Sequence, residues 1–326
     1  MKSRKKKNKT FQLGTGIAAV GALSYCTLSR LLTYKLVSVA LDRKMPKSSP
    51  SSRRWLSGCS NCEELLDTYE QAAACLKEGD CETVQIICKD GERLVGHLHC
   101  CNKPKRMIIA MHGWRSSWNR DFGLIDAFWC TAGCCVLYAE QRGQNNSGGK
   151  YMGFGLTERY DCVEWIRWVQ KRYGKKIPIY LAGISMGAST VLMAGGLELP
   201  AQVHGIIADC GFTSPYHIWQ HVVKRNLHLS YKVRARMADR LCRKRIRMGP
   251  EDYSTVEAMK SVKVPVLFIH GAEDHFVPIS MTYENYTACV APKQLLIVPG
   301  ADHGMSYLVD PKAYEKAMVA FWKEFD

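Results

Sequence analysis

The sequence predicts an α/β fold in which a mostly parallel sheet of eight strands is covered by helices on both faces. Three observations lead to this prediction. Short apolar runs alternate with segments whose apolar residues recur at helical spacing, the pattern of repeated strand–helix units. The first two runs flank Asp90-Gly91, a strong hairpin signal, so the sheet opens with an antiparallel pair. The chain has 326 residues, of which 47% are hydrophobic, enough for one large domain and an appendage.

Strands are predicted where an apolar run is short and ends at turn residues, and helices where the periodic pattern is longer. In chain order, the predicted strands are Cys81 to Lys89, Arg93 to His99, Arg106 to Met111, Cys134 to Ala139, Ile177 to Ala182, Val203 to Ala208, Val264 to Ile269 and Gln294 to Val298. The predicted helices are about 61–77, Asp121 to Thr131, Leu156 to Arg172, Ala188 to Gly195 and Pro311 to Phe325.

The stretch Gly183-Ile184-Ser185-Met186-Gly187 lies between a predicted strand and a predicted helix. A serine between two glycines in this context is typical of a nucleophile elbow, a sharp turn that exposes a serine hydroxyl at the carboxyl edge of a sheet. The glycines leave room where the strand and the helix nearly touch. The five-residue pattern also occurs in ordinary loops, so its meaning depends on the rest of the chain.

Two polar loops follow the last two predicted strands. The loop His270 to Asp274 follows one strand, and the loop Pro299 to His303 follows the other. Because the carboxyl ends of parallel strands meet at one edge of a sheet, we expect these loops to lie near Ser185. A serine, an acid and a histidine are what nucleophilic acyl transfer requires. Ser185, Asp274 and His303 are therefore the candidate catalytic residues.

Other polar residues near these loops are alternatives or have structural roles. Asp209, after the sixth predicted strand, is an alternative acid, and Asp302 is expected to be a turn or capping residue. His270 is expected to pack or to form hydrogen bonds near the loop that contains Asp274. His112 is expected to organise the loop after the third strand, and Ser189 to pack between helix and sheet.

The chain from about Cys81 to Phe325 resembles the α/β-hydrolase fold superfamily, in particular bacterial esterase-like and serine-aminopeptidase-like (S33-type) members with a small helical cap. The matching features are the elbow, His112-Gly113-Trp114 after the third strand, the loop Gln141-Arg142-Gly143, the Asp274 loop and His303. They occur in the order of the superfamily and cover the whole domain. The resemblance implies a cap inserted at about 212–255.

The resemblance also implies a role for each candidate residue. Ser185 would be the nucleophile, His303 the general base and later acid, and Asp274 the group that orients the imidazole. The backbone N–H groups of Trp114 and Met186 would form the oxyanion hole. No cofactor and no metal are expected for this chemistry.

The predicted cap contains a basic amphipathic segment. Residues 224–248 hold ten Lys and Arg residues against one acidic residue. One interpretation is a solvated cap helix; the other is a surface that rests on anionic lipid headgroups or attracts anionic substrates. Phe212, Tyr216 and Trp219 are candidates for the acyl or alcohol pocket, or for the core of the cap.

The formal charge of +15 is concentrated in two segments. Residues 1–54 contribute +12 and residues 224–248 contribute +9, so the rest of the chain carries −6. Together with the lack of a nucleic-acid-binding motif, this distribution argues against a nucleic-acid partner.

The N-terminal sequence indicates a membrane anchor. Six Lys and Arg residues among the first nine precede Phe11 to Ser29, a stretch without charge that is long enough to span a bilayer. We expect a single-pass signal anchor with its N-terminus inside and the catalytic domain outside the cytoplasm; a cleavable signal peptide is the alternative. The predicted organisation is a tail and anchor at 1–29, a linker and helix at 30–80, and the hydrolase domain at 81–326.

Fifteen cysteines are an odd number, and adjacent pairs such as Cys134-Cys135 lie in apolar runs. This pattern favours reduced thiols over a disulfide framework. Cys59-x-x-Cys62 could be read as a zinc site, but no histidine lies near it and the spacing to later cysteines is irregular. A capping box formed by Ser60 and Glu63 explains the segment better.

The function predicted from sequence is hydrolysis of carboxylic esters through an acyl-enzyme, on a small-molecule ester or acyl substrate of lipid-like or anionic character. A peptidase, an aminopeptidase or an acyltransferase with the same three residues is the alternative. A non-catalytic hydrolase-like binding protein is the third hypothesis, and the presence of Ser185, Asp274 and His303 counts against it.

Overall fold

The computed structural model describes residues 27–44, 62–101, 103–228 and 230–326, with the side chains of 62–66, 226 and 227 not described. An eight-stranded sheet forms the centre, in the order β1-β2-β4-β3-β5-β6-β7-β8. The strands are β1 (Glu82–Ile87), β2 (Arg93–His99), β3 (Arg106–Met111), β4 (Cys134–Ala139), β5 (Ile179–Ile184), β6 (Val203–Asp209), β7 (Val266–Gly271) and β8 (Lys293–Val298). The predicted fold class and each predicted strand are confirmed, with shifts at the ends.

Helices surround this sheet. The first described helix, α1, covers residues 27–41. The others are α2 (Cys62–Glu78), α3 (Trp118–Thr131), α4 (Glu158–Tyr173), α5 (Met186–Gly195), α6 (Pro215–Leu227), α7 (Lys232–Ile246), α8 (Thr255–Met259), α9 (Ile279–Ala288), α10 (Ser306–Val309) and α11 (Pro311–Phe325). The helices α6 and α7 lie in the segment between β6 and β7 where the cap was predicted.

The sheet has an antiparallel beginning and a parallel body. Strand β2 pairs antiparallel with both β1 and β4, and all other pairs are parallel. The hairpin turns at Asp90-Gly91, and Gly91 has the positive φ of 84° that such a turn requires. The hairpin prediction is therefore confirmed.

Two hydrophobic cores lie on the two faces of the sheet. Strand β3 is buried along its whole length because it is covered on both sides. Its residues Met107 and Ile109 face one core, which includes Trp165 of α4. Its residue Ile108 faces the other core, which includes Trp129 of α3. This alternation follows from the two-residue period of a strand.

Helix α1 ends against the domain that contains the sheet. Val37 and Leu41 are buried in a third apolar cluster, which also holds Phe212 and Met186. The backbone continues the contact, because the N–H of Met152 donates to the carbonyl of Leu41. The first part of the predicted linker is thus a docked helix.

The described helices do not include one that is long and apolar enough to cross a membrane. The predicted anchor, Phe11 to Ser29, lies almost wholly outside the described residues, so the membrane-anchor prediction stays a prediction.

A disulfide joins Cys100, which directly follows β2, to Cys135, which lies in β4. Ten other described cysteines are free. The prediction of mainly reduced thiols therefore holds for the described residues, apart from this pair. Cys59, Ser60 and the side chains of Cys62 and Glu63 lie outside the described residues.

Candidate active site

The sequence-predicted site residues follow the carboxyl ends of three parallel strands in one half of the sheet. Ser185 follows β5, Asp274 follows β7 and His303 follows β8. Parallel strands direct these ends toward the same edge of the sheet, where open α/β sheets place their sites. The topology thus brings together three residues that are up to 118 positions apart in sequence.

Ser185 occupies a strained turn between β5 and α5. Its φ and ψ are 56° and −116°, a region that residues with a side chain rarely adopt and that costs of order 1–3 kcal/mol. A Cβ atom on Gly187 would lie 1.8 Å from the carbonyl oxygen of Met111, so only glycine fits there. A Cβ on Gly183 would similarly lie 2.3 Å from the carbonyl carbon of Gly187. Ser185, Gly183 and Gly187 therefore form the turn that the sequence pattern predicts.

A continuous chain of hydrogen bonds links the three candidate residues. Ser185 Oγ and His303 Nε2 are 2.8 Å apart, and His303 Nδ1 and Asp274 Oδ2 are 2.7 Å apart. The other oxygen of Asp274 accepts the backbone N–H groups of Phe276 and Val277, each at 2.8 Å. The carboxylate is thereby fixed in place while it faces the imidazole.

His270, in strand β7, contacts the loop that holds Asp274. Its Nε2 lies 3.1 Å from Asp274 Oδ2 and 3.0 Å from the carbonyl oxygen of Val277, and its Nδ1 lies 2.7 Å from Thr282 Oγ1. The hydrogen-bonding role predicted for His270 is confirmed. Its direct contact with the carboxylate was not predicted, because sequence does not show how the loop folds back.

The charges in the site depend on one another. Burial alone would raise the pKa of Asp274, but the nearby His303 and the hydrogen bonds from His270 and His303 lower it well below its usual value. Burial alone would lower the pKa of His303, but Cys210 when ionised, together with Asp274, raises it well above its usual value. Burial raises the pKa of the Cys210 thiol to about 11, so Cys210 is uncharged near neutral pH. Asp274 is then the negative group that stabilises the imidazolium.

The alternative acids have other partners. The carboxylate of Asp209, at the end of β6, accepts the hydroxyl of Ser306 at 3.0 Å, and burial raises its pKa to about 6. Asp302 accepts the backbone N–H groups of His275 and His303, as expected of a turn residue. Neither carboxylate occupies the position that Asp274 has against the imidazole.

The His112-Gly113-Trp114 loop lies beside Ser185. A Cβ on Gly113 would be 3.5 Å from the Cβ of Ser185. The N–H of Gly113 donates to Asp121 Oδ2 at 2.6 Å, which fixes the loop against α3. Met186, the other predicted oxyanion donor, is the first residue of α5, where N–H groups have no partner within the helix.

His112 and Ser189 hold the backbone around the site. His112 Nδ1 contacts the carbonyl of Gly113 at 2.8 Å, and its Nε2 accepts the N–H of Gln141 at 3.1 Å. The hydroxyl of Ser189 exchanges hydrogen bonds with the backbone of Phe212, at 3.0 and 2.9 Å. The structural roles predicted for His112 and Ser189 are confirmed.

Arg115, a residue not predicted from the sequence, connects this loop to α1. Its guanidinium donates to the carbonyls of Val39 at 2.7 Å and Asp42 at 2.6 Å. The indole N–H of the preceding Trp114 donates to the carbonyl of Ala40 at 2.9 Å. Arg115 itself has a positive φ of 54°. Because the acceptors are backbone carbonyls, no side-chain pattern in the sequence indicates this contact.

The three predicted pocket residues belong to the third apolar cluster, which also contains Met186. Phe212 is almost fully buried, and Trp219 packs edge-on against Phe154, with ring centroids 5.2 Å apart. The indole nitrogen of Trp219 is buried and has no hydrogen-bond partner among the described residues. Tyr216 instead packs against Tyr231. Phe154, which connects Trp114 to this cluster, was not predicted.

Part of the basic segment is neutralised by acidic residues. Arg245 forms an ion pair with Asp42 at 2.7 Å, and Arg243 forms ion pairs with Asp239 and Asp252. Beside α6, a cleft of about 860 Å³ is lined by cationic and titratable side chains. The members of this set are His217, His221, Lys224, His228 and Lys232, with Glu284 on the opposite wall.

Comparison with known proteins places this site in a family. Residues 120–325, more than half of the chain, match the prolyl oligopeptidase family (Peptidase_S9). The chain is 28% identical over 190 residues to the uncharacterized protein YqkD of Bacillus subtilis, covering 57% of this chain and 61% of YqkD. It is 34% identical over 65 residues to the bifunctional esterase/perhydrolase DCH of Acinetobacter calcoaceticus, covering 20% of this chain and 23% of DCH. The chain thus spans less than two thirds of the length of these relatives.

Solved structures show the same fold. An esterase of Pyrococcus furiosus superposes with a TM-score of 0.62 at 22% identity, covering 76% of this chain and 91% of the esterase. Est1E of Butyrivibrio proteoclasticus, solved with ferulic acid, superposes with a TM-score of 0.56 at 17% identity, covering 74% of this chain and 97% of Est1E. The S33-type subfamily expected from the sequence is not the one matched. The chain belongs to the prolyl oligopeptidase family within the α/β-hydrolase superfamily.

Proposed function

We propose that this hydrolase cleaves carboxylic esters through an acyl-enzyme formed on Ser185. The observation that carries the proposal is the 2.8 Å contact between Ser185 Oγ and His303 Nε2 on a strained elbow. The sharp turn exposes the hydroxyl of Ser185 at the edge of the sheet, and the imidazole of His303 is positioned to accept its proton.

In the first half of the reaction, Ser185 Oγ attacks the carbonyl carbon of the ester and His303 Nε2 takes the hydroxyl proton. The carbonyl oxygen becomes an oxyanion, which the N–H groups of Trp114 and Met186 stabilise. His303 then donates the proton to the alkoxide as the bond to the alcohol breaks. The alcohol leaves, and the acyl group remains on Ser185.

In the second half, a water molecule takes the place of the alcohol. His303 accepts a proton from the water, and the hydroxide adds to the acyl carbon. The intermediate collapses as the bond from the acyl carbon to Ser185 Oγ breaks, His303 returns the proton to Oγ, and the carboxylic acid leaves. Asp274 keeps its charge throughout, because its pKa is well below its usual value. It therefore stabilises the imidazolium without itself taking up the proton.

The apolar cluster beside Met186 supports an aromatic or aliphatic group on the substrate. Phe154 and Phe212 are almost fully buried in this cluster, and Trp219 packs against them, so the three side chains form an apolar backing for such a group. Est1E, one of the structural neighbours, was solved with ferulic acid, an aromatic carboxylic acid.

Cleavage of an amide or peptide bond is the second candidate, and the match to the prolyl oligopeptidase family favours it. The same three residues can form an acyl-enzyme from either substrate, since the two differ in the leaving group. The test compares kcat/KM for esters of increasing acyl length with that for aminoacyl and prolyl amides. We expect esters to be preferred, and a preference for amides would replace the ester proposal with the peptidase one.

We also propose, from the N-terminal sequence alone, that residues 11–29 anchor the chain in a membrane with the catalytic domain outside the cytoplasm. Labelling of intact cells with an impermeant thiol reagent tests this topology. We expect Cys59 and Cys62 to react without permeabilisation, and reaction only after permeabilisation would overturn the proposed orientation.

A further inference from the structure

A second cluster of titratable side chains lies far from Ser185. His99 is the last residue of β2 and pairs with Val136 near the start of β4. The start of β4 is at the edge of the sheet opposite to the carboxyl ends that carry the candidate active site. Asp126 and Cys130 project from one face of α3, one turn apart, toward this histidine.

Three different ligand atoms converge at this point. His99 Nδ1 lies 2.9 Å from Asp126 Oδ1, Cys130 Sγ lies 3.5 Å from His99 Nδ1, and Cys130 Sγ lies 3.8 Å from Asp126 Oδ1. A tetrahedral zinc ion with ordinary bond lengths to nitrogen, oxygen and sulfur separates its ligand atoms by about 3.3–3.6 Å. The sulfur–nitrogen separation of 3.5 Å lies in this range, the nitrogen–oxygen separation of 2.9 Å is shorter and the sulfur–oxygen separation of 3.8 Å is longer, so small side-chain adjustments would form the triangular face of such a site.

The surroundings of the cluster also suit a metal ion. The phenol of Tyr138 donates to the coordinating oxygen of Asp126 at 2.5 Å, as outer partners of metal ligands commonly do. Cys101 and Cys134 are near enough to Cys130 to interact with it electrostatically. All three ligating residues are only partly buried, so a solvated ion could reach them.

We propose that His99, Asp126 and Cys130 bind one zinc-class divalent cation, with water in the fourth position. A mixed nitrogen, oxygen and sulfur set of this kind selects zinc over magnesium or calcium, which prefer oxygen ligands alone. Binding replaces the thiol proton of Cys130 by the metal and releases that proton to solvent. Because the site joins β2 to α3 away from Ser185, its effect is on stability and not on the catalytic step.

The test uses the purified full-length chain, treated with a chelator while its Cys100–Cys135 disulfide is left intact, and Co²⁺ as the probe. We expect one equivalent of Co²⁺ to bind with the near-ultraviolet absorption of a cobalt–thiolate bond, to be displaced by Zn²⁺, and to raise the melting temperature. Cys130→Ser should abolish the absorption, and His99→Gln should weaken binding strongly. Tyr138→Phe should weaken it roughly 10–100-fold, as expected for an outer partner.

The matched control is Cys88→Ser. The thiol of Cys88 contacts the carboxylate of Asp161 at 3.6 Å, as a cysteine and an aspartate do in the proposed site, but this pair has no histidine with it. The control variant should bind Co²⁺ as the unmodified chain does. Circular dichroism establishes that each variant is folded. If Cys130→Ser does not fold, the loss of Co²⁺ binding is measured on His99→Gln instead. Absence of stoichiometric binding, or an absorption that persists in folded Cys130→Ser, would overturn the proposal.

Discussion

Asp274 and Asp209 are both buried carboxylates near His303, yet their surroundings have opposite effects on their charge. Asp274 is held by His303, His270 and two backbone N–H groups, and its pKa is lowered. Asp209 has the Ser306 hydroxyl as its partner, and its pKa is raised to about 6. Asp274 therefore keeps its charge to lower pH than Asp209 does, and Asp274 is the carboxylate that contacts the imidazole of His303.

Replacement of each acid by asparagine separates their roles. We expect Asp274→Asn to lower kcat by about 10⁴, because the amide can fix the wrong imidazole tautomer and carries no charge. Asp209→Asn should change kcat by less than about tenfold, since it keeps an acceptor for Ser306 and has no part in the proposed mechanism. Steady-state kinetics on one ester substrate, with folding checked by circular dichroism, provide both values. A larger loss for Asp209→Asn would assign the acid role to Asp209.

At the level of elements, α1 is part of the structure around the site. Its last turn accepts hydrogen bonds from Trp114 and Arg115, and Asp42, which directly follows it, forms the ion pair with Arg245 of α7. The proposed oxyanion donor Trp114 is therefore held from one side by a helix that precedes the hydrolase domain in sequence.

Arg115→Lys tests whether this contact positions the oxyanion loop. Lysine keeps the charge but lacks the planar fork that donates to Val39 and Asp42 together. We expect kcat to fall roughly tenfold with little change in KM, less than the 10²–10³ typical of losing an oxyanion donor. Arg167→Lys, at an exposed arginine paired with Glu164, is the control and should leave both constants unchanged. A change confined to stability would show that Arg115 is structural only.

The elements differ in how well the sequence predicts them. Strands β3 and β4 begin and end at the predicted residues, because each is an apolar run bounded by polar or glycine residues. Helix α9 was not predicted, since its sequence mixes polar and β-branched residues without a regular apolar period. The contact of Arg115 with α1 could not be predicted either, because backbone carbonyls accept its hydrogen bonds.

For the whole molecule, the order Ser185, Asp274, His303 is readable from sequence because each residue directly follows a strand. Parallel pairing then converts sequence order into spatial proximity. Cys210 comes to the site by the same topology, but nothing in its local sequence indicates this. The direct contact of His270 with Asp274 was not predicted either. What sequence leaves open is therefore the packing between loops, together with the substrate that these loops select.

Buried carboxyl groups also link the stability of the whole fold to pH. The pKa of Asp209 is about 6 in the folded chain against the ordinary 3.8 of an aspartate carboxyl, so the folded state binds a proton more tightly than the unfolded state. The resulting stabilisation is complete below about pH 4 and is lost as the pH rises through 6, by up to about 3 kcal/mol.

Asp209→Asn should remove this dependence. We expect the free energy of unfolding of the variant, relative to that of the unmodified chain, to increase between about pH 4.5 and pH 7.5. Urea unfolding at both pH values measures this difference, and Asp302→Asn, in a turn, serves as the control. A relative stability that is the same at both pH values would contradict a raised pKa for Asp209.

Covalent labelling by a fluorophosphonate probe tests the proposed nucleophile most directly, because the probe reacts with an activated serine hydroxyl. The probe should label the unmodified chain once, at Ser185, and should not label Ser185→Ala. Ser261→Ala, which removes a partly buried serine far along the chain from the elbow, should be labelled as the unmodified chain is. An unlabelled native chain, or undiminished labelling of folded Ser185→Ala, would contradict the assignment of Ser185 as the nucleophile.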